Sequence, residues 1–117
     1  MALEEYELEE AREEVLTKIK GDREKQLERD LRAVIGTDAG RRFIWTLLGD
    51  CGVFRTSFTG NNSTFFNEGK RFVGLEVLKR MNSAAPEAFA NMQREAADRY
   101  LAEQQRLNKE SKDVRTS

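Results

Sequence analysis

The 117-residue chain is 35% charged and 38% hydrophobic, so its length fits one domain and its composition predicts a small core that carries long solvated helices. Its formal net charge of −1 excludes a positive field over the whole molecule of the kind that steers proteins to DNA or to anionic membranes. Because a small core supplies little stability by itself, we expect the chain to form homo-oligomers or to dock on a larger partner.

The residue types that build most catalytic and metal sites are scarce. The chain has no His and a single Cys, Cys51, so it offers neither a histidine base for a Ser or Cys nucleophile nor the usual ligands of zinc and haem. It also lacks the GxxxxGK[ST] phosphate-binding loop. We therefore expect no enzymatic activity, no cofactor and no metal.

The sequence also predicts where the chain is made and kept. No apolar run approaches the ~20 residues needed to span a bilayer, and the acidic N-terminus lacks the apolar segment of a signal peptide. A single cysteine allows no intrachain disulfide. We therefore expect a protein with no membrane-spanning segment, made in a cytoplasm, that stays soluble or is built into a particle there.

The first third of the chain is charged and has the composition of a helix. Residues 2–20 consist of strong helix formers with a thin apolar stripe, which is typical of a peripheral or partner-seeking helix, or of a segment partly disordered when alone. Gly21 and Asp22 either interrupt this helix or weaken it. Helical spacing resumes over residues 24–35. We assign residues 1–35 to a charged N-terminal helical segment.

The most hydrophobic helix is predicted over residues 39–49. A short corner at Gly36–Asp38 precedes it, with Asp38 as the expected N-cap. Its apolar face comprises Phe43, Ile44, Leu47 and Leu48. Trp45 flanks this face, and we expect it to anchor the core or an interface rather than to stack on a ligand.

A glycine-rich loop is predicted over residues 50–62, where Gly, Asn, Ser and Thr replace the helical pattern. Phenylalanines occur within and just after it, namely Phe54, Phe58, Phe65 and Phe66. Rings in a polar loop indicate an ordered loop that is pinned by its aromatics onto the helices. The alternative is a partner-binding loop that presents Arg55 and Phe58 outward.

A second core helix is predicted from about residue 63 to Met81, with apolar faces that include its phenylalanines. It contains Gly69 and Gly74, each of which costs up to ~1 kcal/mol of helix stability relative to Ala. A helix that keeps two glycines indicates close approach of another backbone at those positions, with the helix that carries Trp45 as the candidate neighbour.

A third core helix is predicted over residues 86–107, after a corner at residues 82–85, with Pro86 in its first turn. From Asn108 onward we expect a frayed or disordered tail. The prediction is an all-α protein, in which a small helical bundle carries the aromatic-pinned loop and a long charged N-terminal helix. Its segments are 1–35, a helical core domain at 36–107 with compact helices at about 39–49, 63–81 and 86–105, and a flexible tail at 108–117.

The central part of the chain leans basic. Solvated helix faces with a few ion pairs explain this bias most simply, and contact with nucleic acid or with an acidic protein surface is the alternative. Arg41 and Arg42 are the obvious donors to phosphate, although the pattern shows no residues placed for base readout. The candidate partner-binding residues are Arg41, Arg42, Trp45, Arg55, Phe58 and Asn61.

Several short motifs in the middle of the chain form a specific pattern. GVFRTSFTGN runs from Gly52 to Asn61, TFF covers residues 64–66, and EGKRFVGL runs from Glu68 to Leu75, with RRF and Trp45 upstream. Over residues 30–92 the chain resembles a small helical domain family of tailed, short-tailed bacteriophages, first delineated in a Bordetella phage. The charged N-terminal helix and the tail lie outside this resemblance.

The resemblance implies a phage-encoded virion component made in the host bacterial cytoplasm, and it brings no catalytic residues. It also implies a defining loop formed by Phe54, Arg55, Phe58, Asn61, Phe65 and Phe66. We accordingly predict a virion structural or assembly protein that docks on other virion proteins, such as portal, tail or core components, at the portal–tail vertex or the ejected core. The alternative is a phage regulatory protein that binds nucleic acid or a host protein.

Overall fold

A computed structural model describes residues 4–55 and 63–116 of the chain. These residues form four helices, which are α1 (Glu5–Ile35), α2 (Asp38–Asp50), α3 (Ser63–Ala84) and α4 (Ala88–Thr116). No strand occurs in either described range, so the prediction of an all-α fold is confirmed. None of the helices in these two ranges combines the length and the apolar character needed to cross a membrane.

Helix α1 is one continuous helix of 31 residues, so Gly21 and Asp22 weaken the pattern without interrupting it. A Cβ added at Gly21 would meet nothing within 4 Å, because the helix is surrounded by solvent there. The flanking residues are strong helix formers, and their summed preference outweighs the ~1 kcal/mol cost of one glycine. Within α1, Ile35 at the C-terminal end is the buried residue.

The corner between α1 and α2 is tight and well capped. The Gly36 N–H donates to the Arg32 carbonyl oxygen at 2.9 Å, and the Thr37 hydroxyl accepts from the Gly40 N–H at 2.9 Å. Thr37 is therefore the N-cap, one residue before the predicted Asp38. A Cβ at Gly40 would lie 1.9 Å from the Val34 carbonyl oxygen, so the turn admits only glycine at that position.

The core is small and lies where the four helices meet. Its buried residues are Ile35, Ile44, Leu48, Met81, Ala88 and Met92. Partly buried apolar side chains that include Trp45, Val53 and Phe89 pack around them. Each helix contributes to this one cluster, which matches the small core that the composition predicts.

Two predicted boundaries near the third and fourth helices were wrong. Helix α3 continues to Ala84, because Met81 and Ala84 are buried against the core, and Pro86 lies in the turn before α4. Helix α4 continues to Thr116, so residues 108–116 are helical where the sequence indicated an irregular tail. The division of the chain into three segments stays a prediction.

The molecule is elongated, with extents of 90 × 39 × 23 Å and a Cα radius of gyration of 22.5 Å. A compact chain of this length has a radius of gyration of about 13 Å. Side chains 8–27 of α1 and 105–115 of α4 are all exposed. We call residues 5–23 the N-terminal arm and residues 100–116 the C-terminal arm, since both extend beyond the packed centre.

Candidate functional site

Arg41 lies at the junction of three helices and is held entirely within the chain. Its Nε donates to the Glu95 carboxylate at 2.9 and 3.1 Å, and its Nη1 donates to the Ile35 carbonyl oxygen at 2.8 Å. Its Nη2 pairs with Asp38 in the first turn of α2. The Arg41 side chain is only 19% exposed. The guanidinium therefore ties the end of α1 and the start of α2 to α4.

Arg42, the next residue, points to solvent from the same helix. The sequence grouped Arg41 with Arg42 as candidate partner-binding residues, and the structure separates them. The four hydrogen bonds of Arg41 give it a role in the fold, whereas the Arg42 guanidinium is accessible. Their contribution to partner binding stays a prediction.

An aromatic cluster joins the residues after α2 to α4. The Trp45 ring stacks on Phe54 with ring centroids 4.8 Å apart, and Phe89 of α4 lies 5.8 Å from Trp45 and 6.3 Å from Phe54. Gly52 adopts φ 78°, which lets the chain turn back so that the Val53 N–H donates to the Leu48 carbonyl oxygen at 3.1 Å. The first part of the predicted loop is thus packed against α2 and α4 through Phe54.

The remaining predicted loop residues fall into two groups. Arg55 is exposed at the end of the first described range, just beyond the aromatic cluster. Phe58 and Asn61 lie outside the described residues, and their predicted orientation stays a prediction. Trp45 is half-buried, so one side of the indole packs in the cluster while the other reaches the surface.

Helix α3 carries a second apolar surface, which faces away from the core. Its members are Phe65, Phe66, Gly69, Phe72 and Val73, which we call the α3 aromatic face. The three phenylalanines are 82%, 69% and 64% exposed, and Val73 is 55% exposed. Lys70 lies at its edge, with Nζ 5.2 Å from the centroid of the Phe66 ring. On the opposite side of the helix, Gly74 and Met81 are buried.

The sequence predicts that these phenylalanines belong to the apolar faces of the helix, but this prediction does not by itself separate the two faces. The signal was available. Residues 65, 66, 69, 72 and 73 recur at helical spacing on one side, while 74, 77, 78 and 81 recur on the other. A helix that packs on one side of a small core buries only one such stripe, so a second stripe predicts an exposed apolar surface.

The described residues show no cluster of side chains suited to bind a metal ion. Within residues 4–55 and 63–116, no three His, Cys, Asp or Glu side chains converge as ligands for a metal ion. The Cys51 thiol is half-buried next to Gly74, where its Sγ would lie 3.6 Å from an added Cβ. Over this part of the chain, the main candidates for a functional site are the exposed apolar surfaces described above.

Comparison with known families matches residues 31–94 to the family described as Bbp19-like phage protein. The matched segment is more than half of the chain, and it includes every member of the buried core. The chain belongs to the Bbp19-like phage protein family. It is therefore a bacteriophage protein, as the resemblance of the central motifs implies. No curated protein matches the chain significantly, and no solved structure does.

The family segment coincides with the packed centre of the molecule. It begins at Leu31, where α1 first packs against the core, and ends at Arg94, just after buried Met92 of α4. The α3 aromatic face and the Trp45 cluster lie inside it. Both arms lie outside it, so the part of the chain that matches the family is the four-helix junction together with its exposed aromatic surface.

Proposed function

We propose that this Bbp19-like protein is a virion structural or assembly protein that acts by docking on other virion proteins in several copies, without catalysis. The observation that carries the proposal is the amount of aromatic surface left exposed. Four of the six phenylalanines in the described residues are at least 64% exposed, namely Phe43, Phe65, Phe66 and Phe72. Surfaces of this kind mark protein–protein contact sites.

The balance between core and surface supports the same proposal. In the described residues the core cluster holds six buried side chains, none of them aromatic. Trp45 and Phe89 are only partly buried against it, and four phenylalanines are exposed. A monomer stabilised by its own packing would bury its phenylalanines, because each buries about 150–250 Å² of surface. A particle component gains that burial when it assembles. We place the assembled protein at the portal–tail vertex or in the ejected core.

Quantitative mass spectrometry of purified, DNA-filled virions tests the proposal. We expect the protein at a stoichiometric, multi-copy level relative to the major capsid protein of the same phage. A replication enzyme of the same phage serves as the control for contamination by lysate. Absence from virions together with abundance in infected-cell lysate would overturn the proposal, and would favour a regulatory protein that binds nucleic acid or a host protein.

A further inference from the structure

We propose that the α3 aromatic face pairs with the same face of a second copy of the chain, so that two antiparallel α3 helices form a two-fold dimer. The inference deepens the proposed function, and rests on it for the role of the dimer, by naming one docking surface and its partner. It starts from a feature that the core does not use. Gly74 and Met81 are buried on the opposite side of α3, whereas the three phenylalanines of the aromatic face remain 64–82% exposed.

The face has the shape of its own complement. Gly69 lies at its centre, flanked by Phe65 and Phe66 on the preceding turn and by Phe72 and Val73 on the following turn. A Cβ added at Gly69 would meet nothing within 4 Å, so the glycine forms a shallow depression between bulky side chains. An isologous contact brings the same patch of two copies together, and a residue without a side chain at its centre lets the two helices approach closely there.

If a two-fold axis passes beside Gly69, the apolar side chains of the two faces contact each other. In an antiparallel pair centred there, Gly69 of one copy lies against Gly69 of the other, and the absence of side chains permits close approach of the backbones. Phe65 of each copy then lies beside Val73 of the other. The rings of Phe66 and Phe72 cover the two edges of the contact, where they exclude water from its centre.

The area is sufficient for a stable contact. Three phenylalanines and a valine at these exposures present roughly 400–500 Å² of apolar surface per chain. Two such faces together with their polar rims reach the ~1,000 Å² that distinguishes a biological interface from an incidental one. Burial of this area alone gives a modest dimer, in keeping with a component that assembles further.

The charges around the face argue against a partner of one strong sign. Lys70 and Arg80 lie at its edges and Glu76 lies along it, so its rim carries both signs. Arg80 is also paired with Glu24 of α1 at 3.0 Å. A nucleic acid or a strongly acidic protein would leave the carboxylate of Glu76 facing like charge.

The test begins with sedimentation equilibrium of the full chain over a wide concentration range. We expect a reversible dimer of twice the 13.5 kDa chain mass. Gly69→Glu should weaken dimerisation by about tenfold or more, since the axis brings the two glutamates together and like charges repel at an interface. The substitution favours the helix, so circular dichroism should show a fold at least as stable as the wild type.

A charge-pair experiment locates the axis. Gly69→Arg should also be monomeric, while an equimolar mixture of Gly69→Glu and Gly69→Arg should recover a dimer, because position 69 of one copy then meets the opposite charge. Leu101→Ser, at an exposed apolar residue of the C-terminal arm, is the matched control and should leave the dimer unchanged. A mixture that stays monomeric contradicts an axis at residue 69.

Two further outcomes would overturn the inference. One is a wild-type chain that remains monomeric at every concentration, and the other is a dimer that Gly69→Glu leaves intact. Neither depends on the virion measurement. A monomer in solution that is found in many copies in virions refutes the α3 pairing and keeps the proposed function. A protein that dimerises through α3 but is absent from virions supports the α3 pairing and refutes the proposed function.

Discussion

At the scale of single residues, Arg41 and Arg42 show that the position of an arginine on a helix decides whether its side chain bonds within the protein or faces solvent. Both are arginines in the first turns of α2, and their sequence context is nearly the same. The planar guanidinium presents five donors, and at position 41 it reaches acceptors on α1, α2 and α4 together. Because Glu95 lies 54 residues away in the sequence, no local pattern predicts that Arg41, rather than Arg42, makes these contacts.

Replacement of Arg41 by Ala should therefore destabilise the fold. We expect Arg41→Ala to lower the free energy of unfolding by about 1.5–3 kcal/mol, because it leaves the Glu95 carboxylate and the Ile35 carbonyl oxygen without this donor. Urea denaturation followed by circular dichroism measures the change. The matched control is Arg42→Ala, which deletes an arginine side chain that is exposed to solvent. It should change the free energy of unfolding by less than ~0.5 kcal/mol. Equal effects of the two substitutions would contradict the assigned role of Arg41.

At the scale of the helix, the two glycines of α3 have opposite surroundings. A Cβ at Gly74 would lie 2.5 Å from Val53 Cγ2 and 2.7 Å from Cys51 Cβ, whereas one at Gly69 would lie in open space. The sequence predicted close approach of the Trp45 helix at both positions. At Gly74 the close neighbours are instead the side chains of Cys51 and Val53, which follow α2, and at Gly69 no described atom lies within 4 Å of the Cβ position. Periodicity places both glycines in a helix, but only tertiary packing distinguishes them.

Gly74→Ala should consequently destabilise the protein although alanine favours the helix. The added methyl group must displace Val53 or Cys51, and we expect a net loss of about 1–3 kcal/mol in the free energy of unfolding, as for overpacking in a core. Gly49→Ala in α2 is the control, because an added Cβ there meets nothing within 4 Å. That control should be neutral or stabilising by up to ~1 kcal/mol. Thermal and urea unfolding of both variants measure the difference, and a stabilised Gly74→Ala would show that α3 and the residues after α2 are not in contact.

At the scale of the helix it is also clear which parts of the fold and of the candidate site could be predicted from the sequence. Local signals located the helices, the corner at Thr37 to within one residue, and the packing of the loop's Phe54 onto neighbouring helices. They did not separate the two faces of α3, since both stripes are apolar and the number of neighbours around a helix is a tertiary property. They also ended α4 early, because residues 108–116 lack apolar periodicity and their helix continues by propagation from the preceding turns.

At the scale of the whole molecule, the chain combines a packed centre with two long exposed arms. The segment that matches the Bbp19-like family is the centre, and the arms extend the molecule to 90 Å. Packing of an amphipathic face, rather than intrinsic propensity, supplies most helical stability in proteins. Helical arms whose described side chains are almost all exposed therefore open with a much smaller free energy than the helices of the centre.

Hydrogen exchange measures that difference directly. In the isolated protein we expect the amides of residues 8–20 and 105–115 to exchange far faster than those of residues 44–50 and 74–84, because opening of an arm breaks no core contact while opening of the centre requires global unfolding. Gly21→Ala is the informative control. It should slow exchange in the N-terminal arm by up to about fivefold, which corresponds to the ~1 kcal/mol difference in helix propensity, and leave the centre unchanged.

The outcome bears on how the arms could act in a particle. Arms that exchange quickly in solution and become protected in purified virions would be elements that gain their partners on assembly, as expected for amphipathic segments that order on binding. Arms that are as protected as the centre in the isolated chain would contradict the prediction, because they would have to be packed against something in solution. Since Leu8, Val15 and Ile19 lie on one side of the N-terminal arm, Ile19→Ser should then release that protection, whereas in an unpacked arm it changes exchange little.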